Sequence, residues 1–325
     1  MNNLSKETNK ILNLIEKFEP IRSSELVKIS SLSIKNVYKH LSRLLDEDLI
    51  KKSGSTPKVF YSIKADKNKN LLVKNIKDYF VEQNYIYVSP NGEIIYGING
   101  FNVWCKKNNF DFIKEKNNFY KKLKELQKNK KNNLFSAKNK ILAGKNKVYL
   151  DEIYFSDFYT FDYFGKTKLG QLVYLGKTSQ NKKIIREIVK IISLSINQII
   201  KQKKISLIGF VPPTIDRKVQ FMDILKKELD IKLKNIVISK VSNSIKIPQK
   251  TLKKLEDRII NARDTISVKP DQEIRENILI IDDATGSGAT LNEIAKKIKN
   301  INKNVKVFGY SIVGSYKNFD VISEV

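Results

Sequence analysis

Along the first sixty residues the apolar positions recur with helical spacing and then with the spacing of strands. Ile11, Leu12, Leu14, Ile15 and Phe18 share one helical face, and Pro20 closes that segment. Ser23 and Ser24 are placed to cap a short second helix carrying Leu26, Val27 and Ile29. Ser33 is placed to cap a third, with Val37, Leu41, Leu44 and Leu45 inward. Leu49 to Lys52 and Lys58 to Ile63 then read as two strands joined by the turn-forming run Ser53-Gly54-Ser55-Thr56-Pro57.

Residues 65 to 83 read as a linker and a helix, and Tyr85 to Val88 with Glu93 to Tyr96 as a hairpin around Ser89-Pro90-Asn91-Gly92. After Tyr149 the pattern alternates. An aromatic stretch runs to Tyr163, a helix from Asn181 to about Lys201, a strand from Ile205 to Val211 and a helix to Leu229. Strands follow at Asn235 to Ser239 and Ile278 to Ile281, then a helix from Leu291 to Ile301 and a strand from Val305 to Ile312. Such alternation predicts an α/β domain with a mostly parallel sheet. The expected division is a helical and hairpin module over 1–65, a basic linker or insert over 66–148, and the α/β domain over 149–325.

A chain of 325 residues, 41% apolar, has room for two cores. Lys and Arg number 61 against 34 acidic residues, giving a formal charge of +27. A field of that size attracts polyanions such as nucleic acid or phosphorylated metabolites. Abundant Lys, Asn and Ile are also what an AT-rich coding sequence favours, so drift on a solvated surface accounts for part of the excess. The most basic stretch is Lys106 to Lys147, with 14 Lys against three acids, which reads as helical with flexible ends. It could track a nucleic-acid backbone, against the default of a solvated face. One cysteine, Cys105, and one histidine, His40, exclude disulfide frameworks, Cys or His zinc sites and most nucleophile–histidine pairs. No signal-peptide core or apolar run of membrane-spanning length is present, so a cytoplasmic protein is expected.

The chemistry concentrates in one segment. Ile278-Leu279-Ile280-Ile281 reads as a buried strand, followed by Asp282-Asp283, the run Ala284-Thr285-Gly286-Ser287-Gly288-Ala289-Thr290 and a helix. Paired carboxylates at a strand end accept hydrogen bonds from a vicinal diol and can face a magnesium ion. Gly286 and Gly288 allow backbone N–H groups to approach a phosphate, Thr285, Ser287 and Thr290 add hydroxyls, and a helix N-terminus adds positive potential. A Walker loop and a dinucleotide fingerprint fit worse: Gly165-Lys166-Thr167 and Gly176-Lys177-Thr178 lack the leading glycine, and Leu291 stands where a third small residue is needed.

This run resembles the signature of the type I phosphoribosyltransferases. Upstream, Pro212-Pro213 with Arg217 and Gln220, then Gln249-Lys250-Thr251-Leu252, Arg258 and Asn261, look like landmarks of the competence protein ComF branch of that family. The resemblance covers roughly residues 150 to 325. It implies a phosphoribosyltransferase-type, Rossmann-like fold that binds 5-phosphoribosyl-1-pyrophosphate (PRPP) with Mg2+. It further implies that Asp282 and Asp283 serve the chemistry and, through PRPP, the metal, while Thr285, Gly286, Ser287, Gly288, Ala289 and Thr290 grip the 5-phosphate. Two departures stand out: relatives carry Thr where Gly286 stands, and the cysteine-rich zinc segment of ComF proteins is replaced by an unrelated basic region. Only seven cationic residues are Arg, which favours a planar phosphate contact at Arg217, on the pyrophosphate side.

The amino-terminal pattern resembles the winged helix-turn-helix family. On its third helix Lys35, Asn36, Lys39, His40 and Arg43 fall away from the apolar side, with Lys52 and Lys58 on the wing, so these are the expected DNA contacts. Two readings follow. One is a PRPP- or nucleotide-responsive regulator, as in the purine operon repressor family, which joins the same two kinds of module. The other is an active transferase moving phosphoribose to a base or amine, with Tyr154 to Phe164 as the visible candidate for an acceptor hood. A ComF-like role in DNA uptake or processing follows from resemblance alone, and a homodimer is compatible with each.

Overall fold

Residues 1–71 and 72–325 form two units, each with its own apolar core. The structure is a computed structural model that describes residues 4–64, 73–137, 147–215, 217–241, 245, 247–270 and 273–315.

The first unit contains α1 (Lys6–Phe18), α2 (Ser23–Ser30), α3 (Ile34–Asp46), β1 (Ile50–Ser55) and β2 (Lys58–Ile63). Ser5 and Ser33 cap α1 and α3 by accepting from the Thr8 and Asn36 amides. The start of α2 differs from expectation: Ser23 is already helical, Arg22 occupies the cap position, and its amide donates to Glu25 Oε2 at 2.9 Å. The hairpin pairs from Ile50↔Ile63 to Ser55↔Lys58. Ser53, Gly54 and Ser55 therefore belong to the ladder, and Thr56-Pro57 alone makes the turn. Ile11, Ile15, Leu26, Val37, Leu41 and Leu44 are fully buried against Ile50 and Tyr61.

The second unit begins with α4 (Ile76–Asn84), a hairpin of β3 (Ile86–Val88) and β4 (Ile94–Tyr96), α5 (Gly97–Lys107), α6 (Phe112–Gln127) and β5 (Phe135–Ser136). Next come β6 (Glu152–Phe158), α7 (Lys168–Ser179), α8 (Lys182–Gln202), β7 (Leu207–Phe210), α9 (Phe221–Leu229), β8 (Lys234–Asn235) and β9 (Ile238–Lys240). The described residues finish with α10 (Leu255–Thr265), β10 (Ile266–Val268), β11 (Ile278–Thr285), α11 (Ala289–Ile301) and β12 (Val307–Gly314). The main sheet has the order β5-β6-β12-β11-β7-β8 and is parallel except for β5. An α/β architecture with a mostly parallel sheet is thus present. Among the described residues no helix is long and apolar enough to cross a membrane.

Strand alternation gives β11 two apolar faces. Leu279 and Ile281 join the cluster of Leu172, Ile185, Ile188, Ile192 and Leu225, contributed by α7, α8 and α9. On the opposite face Ile280 lies beside Ile236 and Ile238 over Gly209, and Leu291 of α11 closes on Gly309. Helices therefore cover both sides, and the carboxyl ends of the parallel strands open at one edge.

Several elements depart from the sequence reading. The strand read from Ile278 to Ile281 continues to Thr285, in register with β12 through Thr285↔Gly314. The single strand read from Asn235 to Ser239 divides in two, and β9 leaves the main sheet to pair with β10. The region read as a linker or insert is part of the second unit. Phe101, Trp104 and Phe119 pack against Phe164, Phe119 also meets Phe161, and β5 pairs antiparallel with β6. Residues 65–72 of the expected linker and 138–146 of the basic tract lie outside the described residues.

Phe119 is 3% exposed and sits among four aromatic rings. Phe119→Ala is expected to destabilise the second unit by about 3–5 kcal/mol while leaving unfolding of the first unit in place. Scanning calorimetry on the full chain checks this, and a shift of the first unit's transition alone would contradict the assignment.

Candidate active site at the carboxyl ends of the parallel strands

The carboxyl half of β11 brings Asp282 and Asp283 to the open edge of the sheet, and both line one cleft of about 270 Å³. Asp283 shares its strand face with Leu279 and Ile281 and meets α7, where Lys177 Nζ lies 2.6 Å from Asp283 Oδ2. Helix α7 is held close: Thr167 caps it by accepting from the Gly170 amide at 2.9 Å and donates to the Phe158 carbonyl at 2.6 Å. A Cβ at Gly170 would come within 2.1 Å of the Tyr159 carbonyl, so only glycine permits this approach. The packing presents Tyr174, Lys177 and Thr178 to the cleft.

The electrostatics follow from this geometry. Burial, together with the Asp283 charge, pushes Asp282 up to about 7, against the Asp283 amide that donates to it at 2.8 Å and the charges of Lys177 and Lys240. Burial also works against the Lys177 ammonium, but Asp283 and Asp282 together outweigh it and raise its pKa. For Lys240 burial prevails over the attraction of Asp282 and lowers its pKa. Lys240 Nζ donates to Thr214 Oγ1 at 2.7 Å.

Beyond the carboxylates the chain turns through Gly286, Ser287 and Gly288 into α11. Gly288 has φ +68°, which favours glycine there. No side chain caps α11 at Gly288, and the Ala289 amide donates to Ser287 Oγ at 3.3 Å. The first-turn amides of a helix have no intrahelical acceptors, so an end of this kind can take an anion. Thr285 is 5% exposed, and its Oγ1 has no hydrogen-bond partner among the described residues. A buried hydroxyl in that condition costs about 1–3 kcal/mol, and an anion bound at the turn would satisfy it. Each of Thr285, Gly286, Ser287, Gly288, Ala289 and Thr290 lines the cleft.

The upstream landmarks converge on the same place. Pro212, Pro213, Arg217, Gln220, Gln249 and Arg258 all line the cleft, whereas Thr251, Leu252 and Asn261 do not. An Arg217 Nη1 group donates to the Lys177 carbonyl, which ties the loop after β7 to α7. Arg258 is 6% exposed, and its Nε donates to the Leu252 carbonyl at 2.7 Å. Four cationic side chains, Lys177, Arg217, Lys240 and Arg258, thus line the cleft with two carboxylates. That balance suits a ligand carrying more than one negative charge. Among the described residues no three His, Cys, Asp or Glu side chains stand together to hold a metal. Two carboxylates fit magnesium only as an ion that brings most of its own oxygen ligands.

Lys177 and Lys240 line the cleft without being singled out by the sequence, and of the stretch Tyr154 to Phe164 one ring reaches it. Gly176-Lys177-Thr178, in sequence an incomplete Walker loop, supplies the lysine that meets Asp283. Of the aromatic stretch, Tyr159 reaches the cleft, while Phe161 and Phe164 pack with Phe119 and Tyr163 lies against Phe164. The aromatic faces at the cleft are Tyr159, Tyr174 and Phe221.

In the first unit Lys35, Asn36, Lys39, Arg43, Lys52 and Lys58 are exposed, and Arg43 pairs with Glu47 at 3.0 Å. His40 is a correction. It is 7% exposed, with Nδ1 3.0 Å from Thr8 Oγ1 and Nε2 3.2 Å from Glu7 Oε2, so it fastens α3 to α1. The helical wheel placed it outside the apolar arc, but α1 covers that flank. The chain matches no protein-family model and no curated protein.

Because Asp282 holds its proton more tightly folded than unfolded, its contribution to stability falls as pH rises from the usual carboxylate range towards about 7. Asp282→Asn removes that loss. The variant is expected to be more stable than the parent by about 0.5–2 kcal/mol above pH 7, with the difference shrinking near pH 4. Denaturant unfolding at both pH values checks this, and equal stability at high pH would count against a strained carboxylate.

Proposed function

We propose that the second unit binds PRPP with magnesium and that the chain is a PRPP- or nucleotide-responsive regulator whose first unit is a winged helix that binds DNA. The observation that carries the ligand assignment is the meeting of an acidic pair, a glycine turn at an uncapped helix start and four cations in one cleft. In this reading the turn from Thr285 to Thr290 holds the 5-phosphate through backbone amides and the Thr285 hydroxyl. Asp282 and Asp283 accept the ribose hydroxyls, and Arg217, with the other cleft cations, faces the pyrophosphate. Asp282 and Asp283 would be the residues to hold a magnesium ion bound with the pyrophosphate, and the ion would screen the pyrophosphate charge. With Gly286 where relatives carry threonine, Thr285, Ser287 and Thr290 are left to supply hydroxyls.

Support for the DNA-binding part is the exposed row Lys35, Asn36, Lys39 and Arg43 on α3, with Lys52 and Lys58 on the hairpin. His40 takes no part in it. A specific observation also favours turnover: Tyr159, Tyr174 and Phe221 give the cleft aromatic faces against which a base could lie. In that alternative phosphoribose passes to a base or amine, and pyrophosphate leaves from C1. Pyrophosphate release with candidate bases marks the enzyme; binding without turnover, coupled to DNA affinity, marks the regulator.

Calorimetric titration with PRPP and magnesium tests the shared claim. Thr285→Val removes the unsatisfied hydroxyl, so it is expected to leave stability unchanged or slightly raised while weakening PRPP binding about tenfold, the scale of one hydrogen bond to a charged group. Asp283→Asn is expected to weaken binding further. Unchanged affinity in both variants would rule out this cleft as the PRPP site.

A further inference from the structure

Helix α6 carries a feature that the cleft does not use. Its inward face buries Phe119, Leu123 and Leu126, while Lys114, Lys121, Lys124 and Lys128 are exposed. At about 100° per residue these four fall within an arc of about 80°, and from first to last they span about 21 Å. Lys128, the cap residue, keeps helical backbone angles and so stays in phase. Asn117 lies in the same arc and accepts from Lys77 Nζ at 2.7 Å, which brings a fifth ammonium beside the row.

The acids that might neutralise this row are engaged or marginal. Glu115 is buried and accepts from the Tyr163 hydroxyl at 2.5 Å, Asp111 caps the helix, and Glu125 stands at the edge of the arc. None of Lys114, Lys121, Lys124 and Lys128 has a carboxylate partner among the described residues. Several lysines elsewhere in the unit do have partners. Lys299 pairs with Asp151 at 2.8 Å, Lys203 with Glu152 at 2.7 Å and Lys296 with Glu293 at 3.7 Å, while Lys297 donates to two carbonyls.

We propose that this row on α6 is a second nucleic-acid surface, which holds the backbone of duplex nucleic acid without reading its sequence. A duplex presents about one negative charge per 1.7 Å of axis, so a 21 Å row of unpaired cations meets a denser row of anions. Single strands are held by stacking on aromatic faces as well as by charge. Among the described residues the ring that stands against a lysine of the row is Tyr120, half-buried beneath Lys124 at 5.5 Å, which favours the duplex.

The test is fluorescence anisotropy of the full chain with a short mixed-sequence DNA duplex over a range of salt. Parent protein is compared with the combined Lys114→Gln, Lys121→Gln, Lys124→Gln and Lys128→Gln variant. Removing four phosphate contacts is expected to lower the slope of log K against log salt by about 3–4 and to weaken binding at least tenfold at moderate salt, equally for two unrelated duplexes. The same loss is expected in a background in which Lys35, Lys39 and Arg43 are already alanine, which separates this surface from the first unit. An unchanged slope overturns the proposal, and so does a loss as large for the single strand as for the duplex. Should the combined variant unfold, Lys121→Gln and Lys128→Gln taken singly are each expected to lower the slope by about 0.9; no change in either would also overturn it. PRPP titration of the same variants is expected to match the parent, so failure here and failure of the cleft assignment are distinguishable.

Discussion

Two carboxylates on consecutive residues of a buried strand repel each other and lose hydration, and the site depends on how the fold tolerates them. Alternation turns Asp283 towards α7, where the Lys177 ammonium sits 2.6 Å away, and leaves Asp282 with a raised pKa. A strand end of this kind is costly to fold. It is retained where a ligand can use it, because a hydroxyl or a cation arriving beside Asp282 removes the strain that burial creates.

The rest of the second unit serves this edge. A mostly parallel sheet brings the carboxyl ends of its strands to one side, and ligands in such sheets lie in the crevice beyond those ends. Here β11 supplies the acidic pair and the turn, the loop after β7 supplies Arg217, and β9 supplies Lys240. Helix α7, seated on the Tyr159 backbone through Gly170, closes the remaining wall. The acidic pair and the glycine turn line the same cleft although they belong to different kinds of structure, a strand end and a helix start.

Much of this was legible in the sequence. The helical periods of the first unit, its serine caps on α1 and α3, the alternation after Tyr149 and the run from Ile278 to Thr290 stood out because each repeats a strong local pattern. Lys177 was not legible: in a lysine-rich chain nothing local separates one lysine from the next, and its role appears only when α7 packs over β11. The aromatic stretch misled for the opposite reason, since Phe161 and Phe164 are as suited to a core as to a ligand hood and the core of α5 and α6 claimed them. His40 was misread because a helical wheel shows the flank of an apolar arc but not whether a neighbouring helix covers it. The basic composition of residues 66 to 148 reads as a linker or insert, whereas Phe101 and Phe119 pack on Phe164 and Phe135 pairs with Phe155 of the sheet, so the segment belongs to the second unit.

The proposed ligand requires the turn after Asp283 to receive a phosphate on its backbone amides. Amide hydrogen exchange, followed residue by residue with and without ribose 5-phosphate, addresses that directly. Protection is expected to rise at Ser287, Gly288, Ala289, Thr290 and Leu291 and to stay level in the first unit. Unchanged exchange along this turn at saturating ligand, or protection confined to residues outside the cleft, would contradict the assignment of a phosphate–sugar site.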